Sequence, residues 1–266
     1  MAQRRKGEKM AEITVDSKDN KMAVLIDGDN AQASLLPKML AEIAKHGSLT
    51  IRRIYGDWTT STMHSWKEAL HLHAVQPIQQ FRYTVGKNAT DSALIIDAMD
   101  IMHRKLVEGF CIVSSDSDYT RMATRIREEG FFVMGIGQKK TPKSFVNACD
   151  LFIYTENLAP QRRESKPRPE AAVDKGRGSK KVEVQQQYAG SDPMPLLREA
   201  YEMVVQENGW ANLGPMGKAL LQLDPGFDPR SFGQRQLSSL IKSLPDFEIR
   251  RSDDHSSTGV WVRLKE

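Results

Sequence analysis

Over the first 158 residues, short apolar runs alternate with stretches in which apolar positions recur at helical spacing. Met22-Ala23-Val24-Leu25-Ile26 is the first run, and it ends at Asp27-Gly28-Asp29-Asn30. Residues 49–55, 77–81, 110–114, 131–136 and 151–154 repeat its character. Between these runs, Leu36, Met39, Leu40 and Ile43 mark a helix over 35–45 that stops at His46-Gly47. Further helices are predicted over 61–74, 91–108, 119–129 and 144–149. Alternation of this kind predicts an α/β fold, a mostly parallel sheet flanked by helices on both faces.

Periodicity stops at residue 159. Residues 159–191 are rich in Pro, Arg, Lys, Glu, Gln and Gly, and cannot bury enough surface to offset their ordering entropy. They read as a disordered basic linker, either grazing a phosphate backbone or acting as a solvated spacer. Periodicity returns in residues 192–266. Leu197, Ala200, Tyr201 and Val204 share one face of a helix over 194–207, and further helices are expected over 213–223 and within 232–243. Strands over 247–251 and 259–264 follow, joined by a polar turn. Three helices and a hairpin form a small α+β winged-helix layout. The expected organisation is a flexible leader over 1–21, an α/β domain over 22–158, the linker over 159–191, and the winged-helix domain over 192–266.

Composition narrows the picture little. The net charge of +4 is compatible with a polyanionic partner without requiring one. No apolar run approaches the roughly 20 residues of a membrane span, and the polar leader lacks the apolar centre of a signal peptide. Cys111 and Cys149 lie in or beside apolar runs and read as buried reduced thiols, which implies a cytoplasmic protein.

The chemistry lies in acids at the ends of apolar runs. Asp27 closes the first strand, where a charge costs desolvation unless something compensates it. Asn30 fits two roles, capping the following helix or orienting a water at the acidic site. Asp91 falls on the stripe of Leu94, Ile95, Ala98 and Met102, so it opens its helix on the buried face. A plain dipole-favoured acid is the bland alternative there. Asp116 and Asp118 follow the fourth strand in a Ser-Asp-Ser-Asp turn, Asp118 serving as second ligand or cap. Parallel strands deliver such residues to the carboxyl edge of the sheet, where ligands of open α/β sheets bind. Carboxylates gathered there repel one another unless hard cations, Mg²⁺ or Mn²⁺, sit among them. That combination points to metal-assisted phosphoester chemistry. Lys87, Arg121, Lys140 and Lys143 could flank the edge as phosphate contacts, and Arg235, Lys242 and Arg250 could do so in the second domain. His71 and His73 are two residues apart and do not share a helix face, which argues against zinc. Walker, nucleophile-elbow and zinc-finger patterns are absent.

Several segments resemble the NYN family, the LabA-like branch of the PIN nuclease superfamily, in both order and spacing. They are Val24-Leu25-Ile26-Asp27-Gly28-Asp29-Asn30, Lys87-Asn88-Ala89-Thr90-Asp91, Val113-Ser114-Ser115-Asp116-Ser117-Asp118-Tyr119, and residues 145–153. The C-terminal part resembles the LOTUS, or OST-HTH, domain through Asn208-Gly209-Trp210-Ala211-Asn212-Leu213, Met216-Gly217, and Phe227-Asp228-Pro229-Arg230-Ser231-Phe232-Gly233. The resemblance implies a PIN-like (Rossmannoid) fold and a metal-dependent ribonuclease. Its acidic site would be Asp27, Asp91, Asp116 and Asp118, with Asn30 as polar companion and Mg²⁺ or Mn²⁺ as cofactor. It also implies RNA as partner, and protein partners through the LOTUS domain. Three other readings stay open on the residues: an RNA-binding adaptor with a degenerate nuclease fold, a haloacid-dehalogenase-type phosphatase using Asp27-Gly28-Asp29, and a winged-helix DNA-binding regulator.

Overall fold

A computed structural model describes residues 20–81, 89–159, 192–252 and 259–265. The expected leader, the expected linker and the segment carrying Lys87 and Asn88 lie essentially outside the described residues.

The N-terminal part is a six-stranded, wholly parallel sheet in the order β3-β2-β1-β4-β5-β6. Its strands are β1 (Lys21–Asp27), β2 (Ser48–Gly56), β3 (Gln76–Gln79), β4 (Gly109–Val113), β5 (Phe132–Gly137) and β6 (Leu151–Tyr154). Its helices are α1 (Leu36–Ile43), α2 (Lys67–His73), α3 (Ala89–His103), α4 (Thr120–Glu128), α5 (Lys143–Ala148) and the single turn α6 (Thr155–Leu158). Side chains alternate across a strand, so β1 feeds two cores. Met22, Val24 and Ile26 pack with Leu36, Met39 and Ile43 of α1. Ala23 and Leu25 pack with Leu94 and Ala98 of α3 and Met122 and Ile126 of α4. Being covered on both faces, β1 and β4 must be apolar almost throughout, as the sequence pattern anticipated.

This strand order contains one reversal. The chain steps outward from β1 to β2 and β3, then returns to β4 on the other side of β1. The carboxyl ends of β1 and β4 therefore flank the switch-point crevice where open α/β sheets bind ligands.

The C-terminal part contains α7 (Met194–Glu202), β7 (Ala211–Asn212), α8 (Leu213–Leu223), α9 (Leu237–Ser243), β8 (Phe247–Ser252) and β9 (Gly259–Leu264). An antiparallel sheet of order β7-β9-β8 covers a core of Leu197, Tyr201, Met216, Leu220, Ile241 and Val262. Residues 224–231 lie against the N-terminal part. The Phe152 N–H of the edge strand β6 donates to the Pro225 carbonyl at 2.8 Å. Arg230 bridges Asp228 at 2.7 Å and Glu42 of α1 at 3.3 Å. Asn157 donates to Ser231 Oγ at 3.0 Å. A Cβ at Gly226 would stand 2.7 Å from Tyr154 Oη, so any larger residue would have to push that ring aside.

Several element ends differ from the sequence expectation. Helix α3 stops at His103 rather than near 108, and Lys105 takes a left-handed φ of 50° in the turn that frees Val107 for the core. The stretch 61–74 begins as a 3-10 turn, Ser61–Trp66, before α2. Helix α7 ends at Glu202 instead of 207. Strand β7 was not expected, two residues being too short to leave a pattern. Among the described residues no helix is long and apolar enough to cross a membrane, and Cys111 and Cys149 are free and buried.

Candidate metal centre

Asp27 is the last residue of β1 and continues the alternation of Ala23 and Leu25, so it faces the α3 side of the sheet. It is fully buried. Its Oδ1 accepts the Asp29 and Asn30 N–H groups at 3.1 and 3.3 Å, and its Oδ2 accepts Asn30 Nδ2 at 2.7 Å and Ser114 Oγ at 2.8 Å. A carboxylate has about four acceptor positions, so this one is filled by its own chain. Burial nonetheless pushes its pKa above the ordinary value, the bonds from Asn30, Ser114 and Asp29 pulling the other way. Asn30 spends its amide on Asp27. The cap alternative is not realised, since α1 begins only at Leu36 and has no side-chain cap.

Ser114 links this residue to the second acidic turn. Its hydroxyl donates to Asp27 and accepts the Asp116 N–H at 3.1 Å. Asp116 in turn caps the 3-10 turn Ser117–Tyr119, its Oδ1 accepting the Asp118 N–H at 2.9 Å. The neighbouring Ser115 Oγ accepts the Gln138 N–H at 2.8 Å, tying the turn to the end of β5. From across the crevice, Asp91 in the first turn of α3 accepts the Tyr119 hydroxyl at 2.7 Å. Tyr119 is buried, and burial with the Asp27 charge holds its phenol far above the usual range, so it stays a donor.

Asp91, Asp116 and Asp118 each offer a carboxylate oxygen, and the three lie within 4.8 Å of one another. Burial raises the Asp91 pKa, opposed by the Tyr119 bond and reinforced by the charges of Asp27, Asp116 and Asp118. The hydroxyl of Thr90, the residue before Asp91, is buried with no hydrogen-bond partner among the described residues. Three carboxylates this close together form an all-oxygen donor set suited to a hard divalent cation. Asp97, further along α3, pairs instead with Arg53 and Tyr55.

Of the cations expected to flank the edge, Lys87 lies outside the described residues. Arg121 and Lys140 are exposed. The Lys143 ammonium sits 3.3 Å from Asp224 of the C-terminal part. Arg235 stands in the turn before α9, Lys242 in its last turn, and Arg250 on β8. Ser114 and Tyr119 were quoted in the motif without a role. Their position at the two ends of the Ser115-Asp116-Ser117-Asp118 turn is the signal that points to them.

An α/β sheet with a converging acidic set at its switch point is the architecture of a PIN-like protein. The family model of the NYN domain matches residues 21–156, and the chain belongs to that family. The OST-HTH/LOTUS domain matches residues 191–257. The families make this a nuclease-like domain followed by a module of an RNA-binding class. No curated protein matches the chain. Among solved structures, a protein of unknown function from Vibrio parahaemolyticus is similar at 17% identity and a TM-score of 0.44, over 53% of this chain and 94% of that one. An uncharacterized protein from Nitrosomonas europaea is similar at 28% identity and a TM-score of 0.27, over 35% of this chain and 93% of that one.

Proposed function

We propose that this protein is a metal-dependent ribonuclease that hydrolyses RNA phosphodiester bonds. The supporting observation is the convergence of Asp91, Asp116 and Asp118 from α3 and the β4 turn on one point of the switch-point crevice. These three would hold Mg²⁺ or Mn²⁺. A bound cation of that kind activates water for attack on phosphorus and neutralises charge that develops on the phosphoryl oxygens.

The chain's own residues do the positioning. Tyr119 orients Asp91 by its hydroxyl. Ser114 holds the Asp116 amide, and so the turn that carries Asp116 and Asp118. Asp27, with its acceptor positions filled by Asn30, Asp29 and Ser114, acts from behind the ligand set by bracing that turn and adding negative charge. This differs from direct ligation by Asp27, the role expected from the motif. It also disfavours the phosphatase reading, because an aspartyl nucleophile needs an open carboxylate and Asp27 has no exposed surface.

Cleavage of labelled single-stranded RNA with Mn²⁺, Mg²⁺ or EDTA tests the proposal, comparing wild type with Asp116→Asn. Metal-dependent cutting that the variant loses is the expected result. Equal cutting by both proteins would refute the assignment, and RNA binding without cutting by either would favour the adaptor reading.

A further inference from the structure

The three-stranded sheet of the C-terminal part has a core face and an outer face. Phe247, Ile249, Val262 and Leu264 pack inward. By the period of two, Glu248, Arg250, Trp261 and Arg263 point outward. The register sets Arg250 opposite Trp261, and Glu248 opposite Arg263, whose guanidinium pairs with the Glu248 carboxylate at 2.6 Å. Trp210 reaches the same face from the approach to β7. The left-handed Gly209, φ 74°, turns the chain there, and the Tyr201 hydroxyl pins the Gly209 carbonyl at 2.8 Å. The guanidinium carbons of Arg250 and Arg263 lie 4.7 and 4.9 Å from the centroid of the Trp210 ring. Both arginines are exposed, and both tryptophans are half-exposed.

Two indoles on an open sheet face bury no core and leave apolar rings in water. Guanidinium groups over an indole are already arranged as planar, cationic stacking partners. Bases can add to such a platform by their π-faces while Arg250 meets a phosphate directly and Arg263 does so by exchanging its exposed Glu248 partner. Only unpaired bases can present those faces. Helix α9, the element a winged helix would lay in a duplex groove, has seven residues. Its basic residue is Lys242, and Arg235 precedes it. That is a poor basis for groove reading.

We infer that the outer face of the C-terminal sheet, built on Trp210, Trp261, Arg250 and Arg263, binds single-stranded RNA by base stacking, and that α9 does not carry the contact. The inference rests on the ribonuclease reading for its choice of nucleic acid, yet it is tested without cleavage. Anisotropy of a labelled single-stranded RNA is measured with the full chain in EDTA, beside the same RNA as a duplex. Arg250→Glu/Arg263→Glu is expected to lose single-strand affinity by at least about tenfold, and Trp210→Leu/Trp261→Leu by about the same factor. Arg235→Glu/Lys242→Glu should bind as wild type does. Bound RNA should quench tryptophan fluorescence in wild type, and much less in the double leucine variant. The arginine pair touches no core side chain, so its result stands even if the tryptophan variant folds poorly. Unchanged RNA affinity in the sheet variants overturns the inference and assigns that face to a protein partner. Loss of affinity in the α9 variant alone also overturns it. Failure of wild type to bind either RNA overturns it too, whereas absent cleavage with binding intact counts only against the ribonuclease reading.

Discussion

Ser114→Ala is the sharpest probe of how the acidic edge is held. The hydroxyl is buried and makes two bonds, donating to the Asp27 carboxylate at 2.8 Å and accepting the Asp116 N–H at 3.1 Å. A hydrogen bond to a charged group contributes about 1.5–3 kcal/mol. The Asp116 N–H is only partly buried and can turn to water, so its loss adds little. The expected cost is therefore about 2–3 kcal/mol in urea unfolding at neutral pH, with a melting shift of roughly 5–10 °C. The cost should depend on pH. Asp27 titrates above its ordinary value of 3.8 because burial opposes its charge. A carboxyl whose folded pKa is raised binds more protons folded than unfolded, so it penalises the fold at neutral pH and the penalty is relieved as pH falls. Removing the Ser114 donor raises that pKa further and enlarges the penalty. The gap between wild type and variant should be full at neutral pH and should shrink as pH falls through the Asp27 titration. Unfolding in EDTA at several pH values keeps cations out of the comparison. A gap that is absent, constant or growing toward acid would refute the account of Asp27 as an ionised, donor-saturated brace.

Tyr119→Phe removes the 2.7 Å donor to Asp91 without touching the ring packing. It should cost about 1–2 kcal/mol of stability and reduce cleavage by about tenfold or more, while RNA affinity in EDTA is unchanged. Full cleavage activity would show that Asp91 needs no such orientation. Arg230→Ala strips the partner from buried Asp228 and from Glu42 across the interface. With a protease site inserted between residues 159 and 192, the cut halves of wild type should co-elute on gel filtration and those of the variant should separate. Co-elution in both would mean that Arg230 does not hold the two parts together.

What could be read from the sequence was what is local. The runs through β1 and β4 carry their own two-face burial, and Asp91 shares its helix stripe with Leu94 and Ala98, both fully buried. The expectation that Asp27, Asp91 and Asp116 share one edge came from two strand ends and one helix start. The less legible features depend on partners distant in sequence. Ser114 meets Asp27 across 87 positions, and Lys143 meets Asp224 across 81. No periodicity encodes such a bond. Strand β7 was missed for a related reason. Two residues extend only because Val262 and Trp261 of β9 pair with them. The outer-face platform was half visible. Arg250 is a candidate phosphate contact in the sequence, but Trp210, although part of the motif Asn208-Gly209-Trp210, has no legible place on the sheet until Gly209 turns it onto the same face.

The acidic edge and the aromatic-basic sheet make opposite demands on one ligand. Burial raises the Asp91 pKa, and the charges of Asp27, Asp116 and Asp118 add to that rise; the same negative field repels a phosphate backbone. A centre of this kind draws RNA poorly until a cation sits in it. On the reading proposed above, holding the strand falls to the outer face of the C-terminal sheet, where Arg250 and Arg263 would supply charge and the two indoles stacking. With the strand held there, each encounter at the acidic edge becomes intramolecular, and its effective concentration is set by the span between the sites. The contacts of residues 224–231 with β6, α1 and α6 would narrow that span to one geometry. If so, Arg230→Ala should weaken cleavage of long RNAs that reach both surfaces far more than cleavage of oligonucleotides too short to bridge them. Equal losses on both lengths would separate the platform from the nuclease.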